Sequence, residues 1–149
     1  MLAGELCTRD VVFGSPTLSV REAALLMRQR HVGTVVVCED RPAGRYPVGM
    51  VTDRDIVLAV VAVGVDAERL TVRDIMSADV TTVDEHEPVF DALQRMRESG
   101  VRRAPVINTR GALVGILSVD DLLGFLGDQT AELLKLLRHG QAREERTRK

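Results

Sequence analysis

The sequence predicts an α+β fold built from one β-α-β-β-α unit used twice. Three observations predict it. A glycine, two apolar residues, Thr or Ser, two variable positions and an aspartate occur in that order at residues 49–55 and again at 115–121, each time leading into an apolar run. The flanking sequence repeats at a fixed offset: Val11 with Val80, residues 20–23 with 89–92, Met27 with Met96, Val32 with Val101 and Val37 with Val106 all lie 69 apart. At Gly49 with Gly115 and Asp55 with Asp121 the offset falls to 66, so the first hairpin loop holds three additional residues, where insertions are tolerated. Finally, 149 residues at 45% hydrophobic content give a folded chain that buries roughly two-thirds of its unfolded surface, enough for one domain or two packed half-domains.

The elements follow in order. Residues 11–13 are a short strand, and Gly14-Ser15-Pro16 a turn. Ser19 opens a helix with Glu22 as a capping box, and Val20, Ala23, Ala24, Met27 and Val32 set a core stripe at helical spacing. Residues 34–38 are a β-branched strand, 39–47 a loop with two prolines and Gly44, and 48–52 a second strand, spaced as a hairpin. A helix from Asp53 ends near Gly64, placed as a C′ glycine. Residues 65–79 connect the copies, with a turn of helix at 72–76. The order then restarts: strand 80–83, helix 88–99 with Pro88 in its first turn and Gly100 as its stop, strand 103–107, turn 108–111, strand 113–118 and a helix. Pro105 within a strand predicts an edge or an interrupted ladder. Leu133, Leu134, Leu136 and Leu137 make an apolar helix face to be buried on the same module or on a second copy, with Gly140 ending it. Residues 141–149 read as a disordered basic tail, contact with an anionic partner being the lesser alternative. The divisions are a first repeat over 8–66, a linker over 67–79, a second repeat over 80–127, and a C-terminal helix and tail over 128–149.

Composition excludes several classes. A net charge of -2 from 20 basic and 22 acidic residues supplies no basic field, and 3% aromatics with no Trp supply no stacking platform, which argues against nucleic acid. No apolar run approaches a membrane span, and residues 1–10 lack a signal-peptide core, so a cytoplasmic chain without membrane contact is expected. Cys7 and Cys38 form no C-x-x-C pair and are expected as reduced thiols, a metal site with His31 being the remote alternative. His31, His86 and His139 fall at helix ends or before a helix, with no Ser-His-Asp or Cys-His arrangement. Asp84, Glu85 and Glu87 beside His86 suit a helix N-terminus better than a metal. Neither catalysis nor a metal is expected.

The repeated motif has two readings. Thr52 and Ser118 each end a strand and cap a helix whose third residue is Asp55 or Asp121, and a capping box accounts for that by itself. The same geometry offers unpaired N–H groups to a phosphate and a carboxylate to ribose hydroxyls. Two such units in tandem, each closed by this motif, resemble a pair of CBS domains, the Bateman module, over about residues 8–127. A chain that is little more than the module resembles stand-alone bacterial CBS-pair signalling proteins.

That resemblance implies two half-domains packed through their sheets, with two clefts related by a pseudo-twofold axis. Each cleft would take an adenosine-containing ligand such as AMP, ADP, ATP or S-adenosylmethionine. The nucleotide is then a regulatory ligand, with no cofactor required. Carried onto this sequence, Thr52 and Ser118 would meet phosphate or ribose, Asp55 and Asp121 ribose hydroxyls, and Met50 and Ile116 would flank the purine. Arg102 and Arg103 stand where related modules place phosphate contacts, while Gly33 and Thr34 hold those positions in the first copy. The expectation is therefore a Ser118/Asp121 cleft that prefers phosphorylated nucleotides through Arg103, and a Thr52/Asp55 cleft that is empty or selects a less charged ligand. The plain alternative is that Arg102 and Arg103 are solvated or pair with Asp120. Thr81 and Thr82 replace Val12 and Phe13 and add polar partners, and Arg54 offers the first cleft a positive charge. The family also implies a homodimer and a protein partner that reads the ligand state. A structural dimerisation module without nucleotide is the competing function.

Overall fold

Capping decides where the chain turns from extended to helical. In the computed structural model, which describes residues 1–148, Ser19 is extended, its Oγ accepts from the Glu22 N–H, and Glu22 Oε2 accepts from the Ser19 N–H at 2.9 Å. These reciprocal bonds satisfy two N-terminal donors and start the helix Val20–Arg30 (α2), which stops at His31 in the left-handed region at φ 54°. Val32 lies beyond the helix and is exposed, so it is not part of the core stripe.

The first sheet has the order β1-β2-β3, from Phe13–Gly14 (β1), Thr34–Arg41 (β2) and Gly44–Thr52 (β3), with β1 parallel and β3 antiparallel to β2. Val83–Asp84 (β4), Arg103–Ile107 (β5) and Leu113–Ser118 (β6) repeat it, with the helix Val89–Glu98 (α5) in the place of α2. Each hairpin carries an irregularity at the same position, after Val37 and after Val106, where one extra residue bends the strand. Most of residues 39–47, expected as loop, are strand. The three additional residues lengthen the hairpin until Tyr46 lies within van der Waals reach of the second half's turn at Gly111. Pro105 is on the central strand, not an edge. Val36, its counterpart, donates its N–H to Val12 O at 3.0 Å; proline has no N–H for that bond, and β4 begins only at Val83.

The cores are copies. Ala23, Met27, Val35, Val37 and Val51 in one cluster correspond to Ala92, Met96, Ala104, Val106 and Leu117 in the other. Each also takes a short helix from outside its own repeat. Ala3–Leu6 (α1) joins the second half, where the Ala3 N–H donates to Glu87 O at 2.9 Å. Val72–Ile75 (α4), inside the connecting segment, joins the first, where the Val72 N–H donates to Leu18 O at 2.8 Å. Gly49 and Gly115, which open the motifs, are where these segments cross: a Cβ on Gly49 would collide with the Met76 sulfur, and one on Gly115 with the Cys7 sulfur.

The helices after the motifs differ most. Asp53–Ile56 (α3) widens into a π-helical turn over Val57–Val61 before Gly64 at φ 77°. The second motif opens one continuous helix, Val119–Thr147 (α6), of 29 residues. Gly140 does not end it, and the tail expected to be disordered is helical through Thr147. Helical i to i+4 bonds carry the chain past a single glycine, whose penalty is about 1 kcal/mol. Lys149, the remainder of that tail, lies outside the described residues.

Candidate functional site

The two motifs have nearly the same local geometry. Thr52 Oγ1 accepts from the Asp55 N–H at 3.1 Å while Asp55 Oδ2 accepts from the Thr52 N–H at 2.8 Å. Ser118 and Asp121 repeat this at 3.1 and 2.9 Å, and the Ser118 hydroxyl also donates to Asp121 Oδ2 at 2.6 Å. Both are therefore capping boxes. Each uses one carboxylate oxygen, and Oδ1 of Asp55 and of Asp121 has no hydrogen-bond partner among the described residues. The Ser118 proton is engaged, whereas the Thr52 hydroxyl only accepts and keeps a proton to donate.

Each motif opens onto a cleft that the opposite half completes. Around Thr52, Asp55, Met50 and Arg54 is a cavity of about 420 Å³ whose far wall is Ser77, Thr81, Val101, Arg102 and Arg103. Ser118, Asp121 and Ile116 face a smaller one of about 250 Å³, closed by Thr8, Asp10, Val12, His31, Val32 and Gly33. The hairpin edges explain the crossing: β3 and β6 lie against each other, Met50 pairs with Ser77, and Ile116 pairs with Thr8. The start of each middle strand thus faces the other repeat's motif.

This crossing corrects the assignment made within each copy. Arg102 lines the Thr52/Asp55 cleft and not the Ser118/Asp121 cleft. Arg103 lines both, with an ion pair to Asp120 at 3.7 Å. Thr82 lines neither, because it stands next to Val83, whose side chain is core; its neighbour Thr81 lines the first cleft. Arg54, an exposed residue at the helix start, also lines that cleft. Arg54, Arg102 and the free Thr52 hydroxyl belong to the Thr52/Asp55 cleft alone, beside the carboxylates of Asp53, Asp55 and Asp79, while Arg103 is shared with the Ser118/Asp121 cleft.

One residue was not singled out from sequence. Thr34, 69 positions before Arg103, also lines both clefts. It is 6% exposed, and its Oγ1 has no hydrogen-bond partner. A buried hydroxyl without a partner is costly and is satisfied when a ligand or water supplies the bond. The signal that finds it is the repeat offset applied to Arg103.

Other features are separate from these clefts. A depression of about 430 Å³ lies against Phe13, Ser15, Cys38, Arg45 and Arg73. It is marginally larger than the first cleft, but its arginines pair with Asp40 and Glu39 and no motif residue reaches it. Burial pushes the Cys38 thiol up to about 12 against the opposing pull of Arg45, and burial raises Cys7 as well; both thiols are free. Among the described residues no three His, Cys, Asp or Glu side chains are grouped to hold a metal, and no helix is long and apolar enough to cross a membrane.

Residues 3–62 and 72–128 match the family model for the CBS domain. The uncharacterized protein MK0525 of Methanopyrus kandleri is 39% identical over 120 residues, which are 80% of this chain and 60% of that protein. The CBS domain protein PAE2072 from Pyrobaculum aerophilum, solved in complex with AMP, superposes with a TM-score of 0.72 at 32% identity, over 82% of this chain and 90% of that one. The CBS domain pair of protein MJ0100, solved with 5′-methylthioadenosine and S-adenosyl-L-methionine, gives 0.74 at 22% identity over 87% and 98% of the two chains, a likeness of fold alone.

Proposed function

This chain belongs to the CBS domain family, with two copies in tandem, and from that premise we propose that it is a regulatory module that senses an adenosine-containing nucleotide. The observation that carries this reading is the pair of crossed clefts, each with a carboxylate oxygen available for ribose hydroxyls and a wall from either half. The AMP held by the Pyrobaculum relative supports the ligand class, and S-adenosylmethionine is the second candidate. A ligand seated between halves stabilises one relative placement of them, and it shifts that equilibrium only by its differential affinity for the two states. The protein signals by this change, without catalysis, as a cytoplasmic homodimer whose surface a protein partner reads.

The clefts differ in their arginines: three stand with Asp53, Asp55 and Asp79 in one, and Arg103 alone with Asp10 and Asp121 in the other. The Thr52/Asp55 cleft takes the phosphorylated nucleotide: the Arg102 and Arg103 guanidinium forks suit phosphate oxygens, and Arg54 and the Thr52 hydroxyl stand beside them. Asp55 meets the ribose and Met50 flanks the purine. The Ser118/Asp121 cleft is smaller, holds Asp10 and Asp121 against a shared Arg103, and takes a less charged adenosyl ligand beside Ile116.

The test is a thermal-shift and calorimetry screen of AMP, ADP, ATP, S-adenosylmethionine and adenosine against the wild type, Asp55→Ala, Asp121→Ala and Arg102→Ala. Saturable stabilisation by a phosphorylated ligand, abolished by Asp55→Ala and weakened by Arg102→Ala but kept in Asp121→Ala, is the expected result. Loss in Asp121→Ala alone would return the phosphate preference to the second cleft. No response from nucleotide-free protein would leave the structural dimerisation module as the function.

A further inference from the structure

Helices α2 and α5 end at the same repeat position with different residues. Both chains turn left-handed there, 69 residues apart: Gly100 at φ 66° and His31 at φ 54°. That backbone suits glycine, and a Cβ makes it less favourable. Gly100 is therefore the ordinary helix stop, whereas His31 is the one non-glycine residue with positive φ among the described residues. A side chain kept at such a position is explained by what it meets. His31 lines the Ser118/Asp121 cleft, while Gly100 lines neither cleft. His86 and His139 each commit Nδ1 to a hydrogen bond, but His31 commits neither ring nitrogen, so an N–H remains to donate.

The groups around it identify what that N–H takes. Where the first cleft has Arg102, this one has Gly33, 69 positions earlier. Its side-chain nitrogen donors are His31 and the shared Arg103. Of its two carboxylates, Asp10 has both oxygens held by Arg30, at 2.8 and 2.7 Å, and Asp121 has one oxygen left beside its cap. The same wall holds the Thr34 hydroxyl, 6% exposed and without a partner. Donors therefore outnumber open acceptors, and the ligand has to bring an acceptor. A carboxylate fits, with two oxygens for two nitrogen donors and a single charge; a phosphate monoester brings a third oxygen and more charge than the shared Arg103 matches. We infer that His31 is the specificity-determining residue of the smaller cleft, its imidazole N–H taking the carboxylate end of an adenosyl ligand that carries an amino-acid arm. This rests on the nucleotide-sensing reading above and names the ligand group that the second cleft selects.

Calorimetry of S-adenosylmethionine and of adenosine against the full chain, Asp121→Ala and His31→Gly tests it, with the ligand-free melting midpoint of each. The wild type is expected to bind S-adenosylmethionine more tightly than adenosine, and Asp121→Ala to lose it. His31→Gly should weaken S-adenosylmethionine about tenfold, as loss of a hydrogen bond to a charged group does. It should keep the affinity for adenosine and melt no lower than the wild type, since glycine relaxes the backbone at this φ. An unchanged affinity for S-adenosylmethionine in His31→Gly overturns the assignment and leaves the sensing reading in place. So does an equal loss of adenosine with a lowered midpoint, the mark of a packing role. Retention of S-adenosylmethionine in Asp121→Ala puts the ligand in the other cleft and overturns the assignment too. A wild type that binds neither ligand, nor AMP, overturns the sensing reading itself and the assignment with it.

Discussion

Gly49 and Gly115 are set by space, not by backbone freedom. Neither is among the glycines with positive φ, yet any side chain at Gly115 meets Cys7. Gly115→Ala is therefore expected to cost roughly 1–3 kcal/mol by overpacking, and Cys7→Ala in the same chain to recover part of that loss. Urea denaturation of the four-member cycle checks it, and strict additivity would exclude the close approach as the cause. Cys38 gives a pH prediction. Burial raises its thiol from 9.0 to about 12, so the folded state favours the protonated form. That contribution is fully present below the unfolded thiol range and is lost as pH rises from 9.0 towards about 12. Denaturation midpoints should fall across this window in the wild type and fall less in Cys38→Ala, and iodoacetamide at neutral pH should label Cys38 only after unfolding. The motif residues were legible because glycine, hydroxyl and carboxylate have local jobs in ending a strand and capping a helix. The position of Thr34 followed from the repeat offset, but its orphaned hydroxyl did not, because that is defined by what surrounds it.

Among the elements, α1 and α4 show how the halves are held. Each is a single helical turn of four residues, too short to be stable alone, and α1 buries its residue in the half that is distant in sequence. Ala3 is buried in the second core, and Thr8 pairs in both directions with Ile116 at 2.9 Å. Deleting residues 1–9 should thus expose the edge of β6 and the floor of the smaller cleft. Hydrogen exchange at Ile116 is expected to accelerate markedly while Met50, covered by Ser77, stays protected; equal exchange at both would show that α1 does not hold the second half. Helix starts were readable from Ser19, Thr52 and Ser118, whose capping boxes all form. Ends were less so, since the π-helical turn and the passage of α6 through Gly140 depend on hydrogen bonds that no residue type specifies.

For the whole molecule, Thr34 and Arg103 form a wall common to both clefts. One guanidinium cannot serve the phosphate of a ligand in one cleft and the carboxylate of a ligand in the other at once, so the clefts are expected to be coupled, and coupling between binding free energies is reciprocal. Calorimetry of AMP with and without saturating S-adenosylmethionine should give different affinities, and Arg103→Ala should make them equal. Unchanged affinity in the wild type would mean the wall transmits nothing. Sequence alone determined the duplicated β-α-β-β-α unit, the hairpin within each copy, the capping boxes and the correspondence of core positions, because these depend on periodicity and on residues a few places apart. The tertiary structure decided which half completes which cleft. Arg102 is nearer in sequence to Ser118 than to Thr52, but β3 and β6 pack against each other and each motif faces the other copy. That choice is made by side chains buried between the halves, and no local pattern records it.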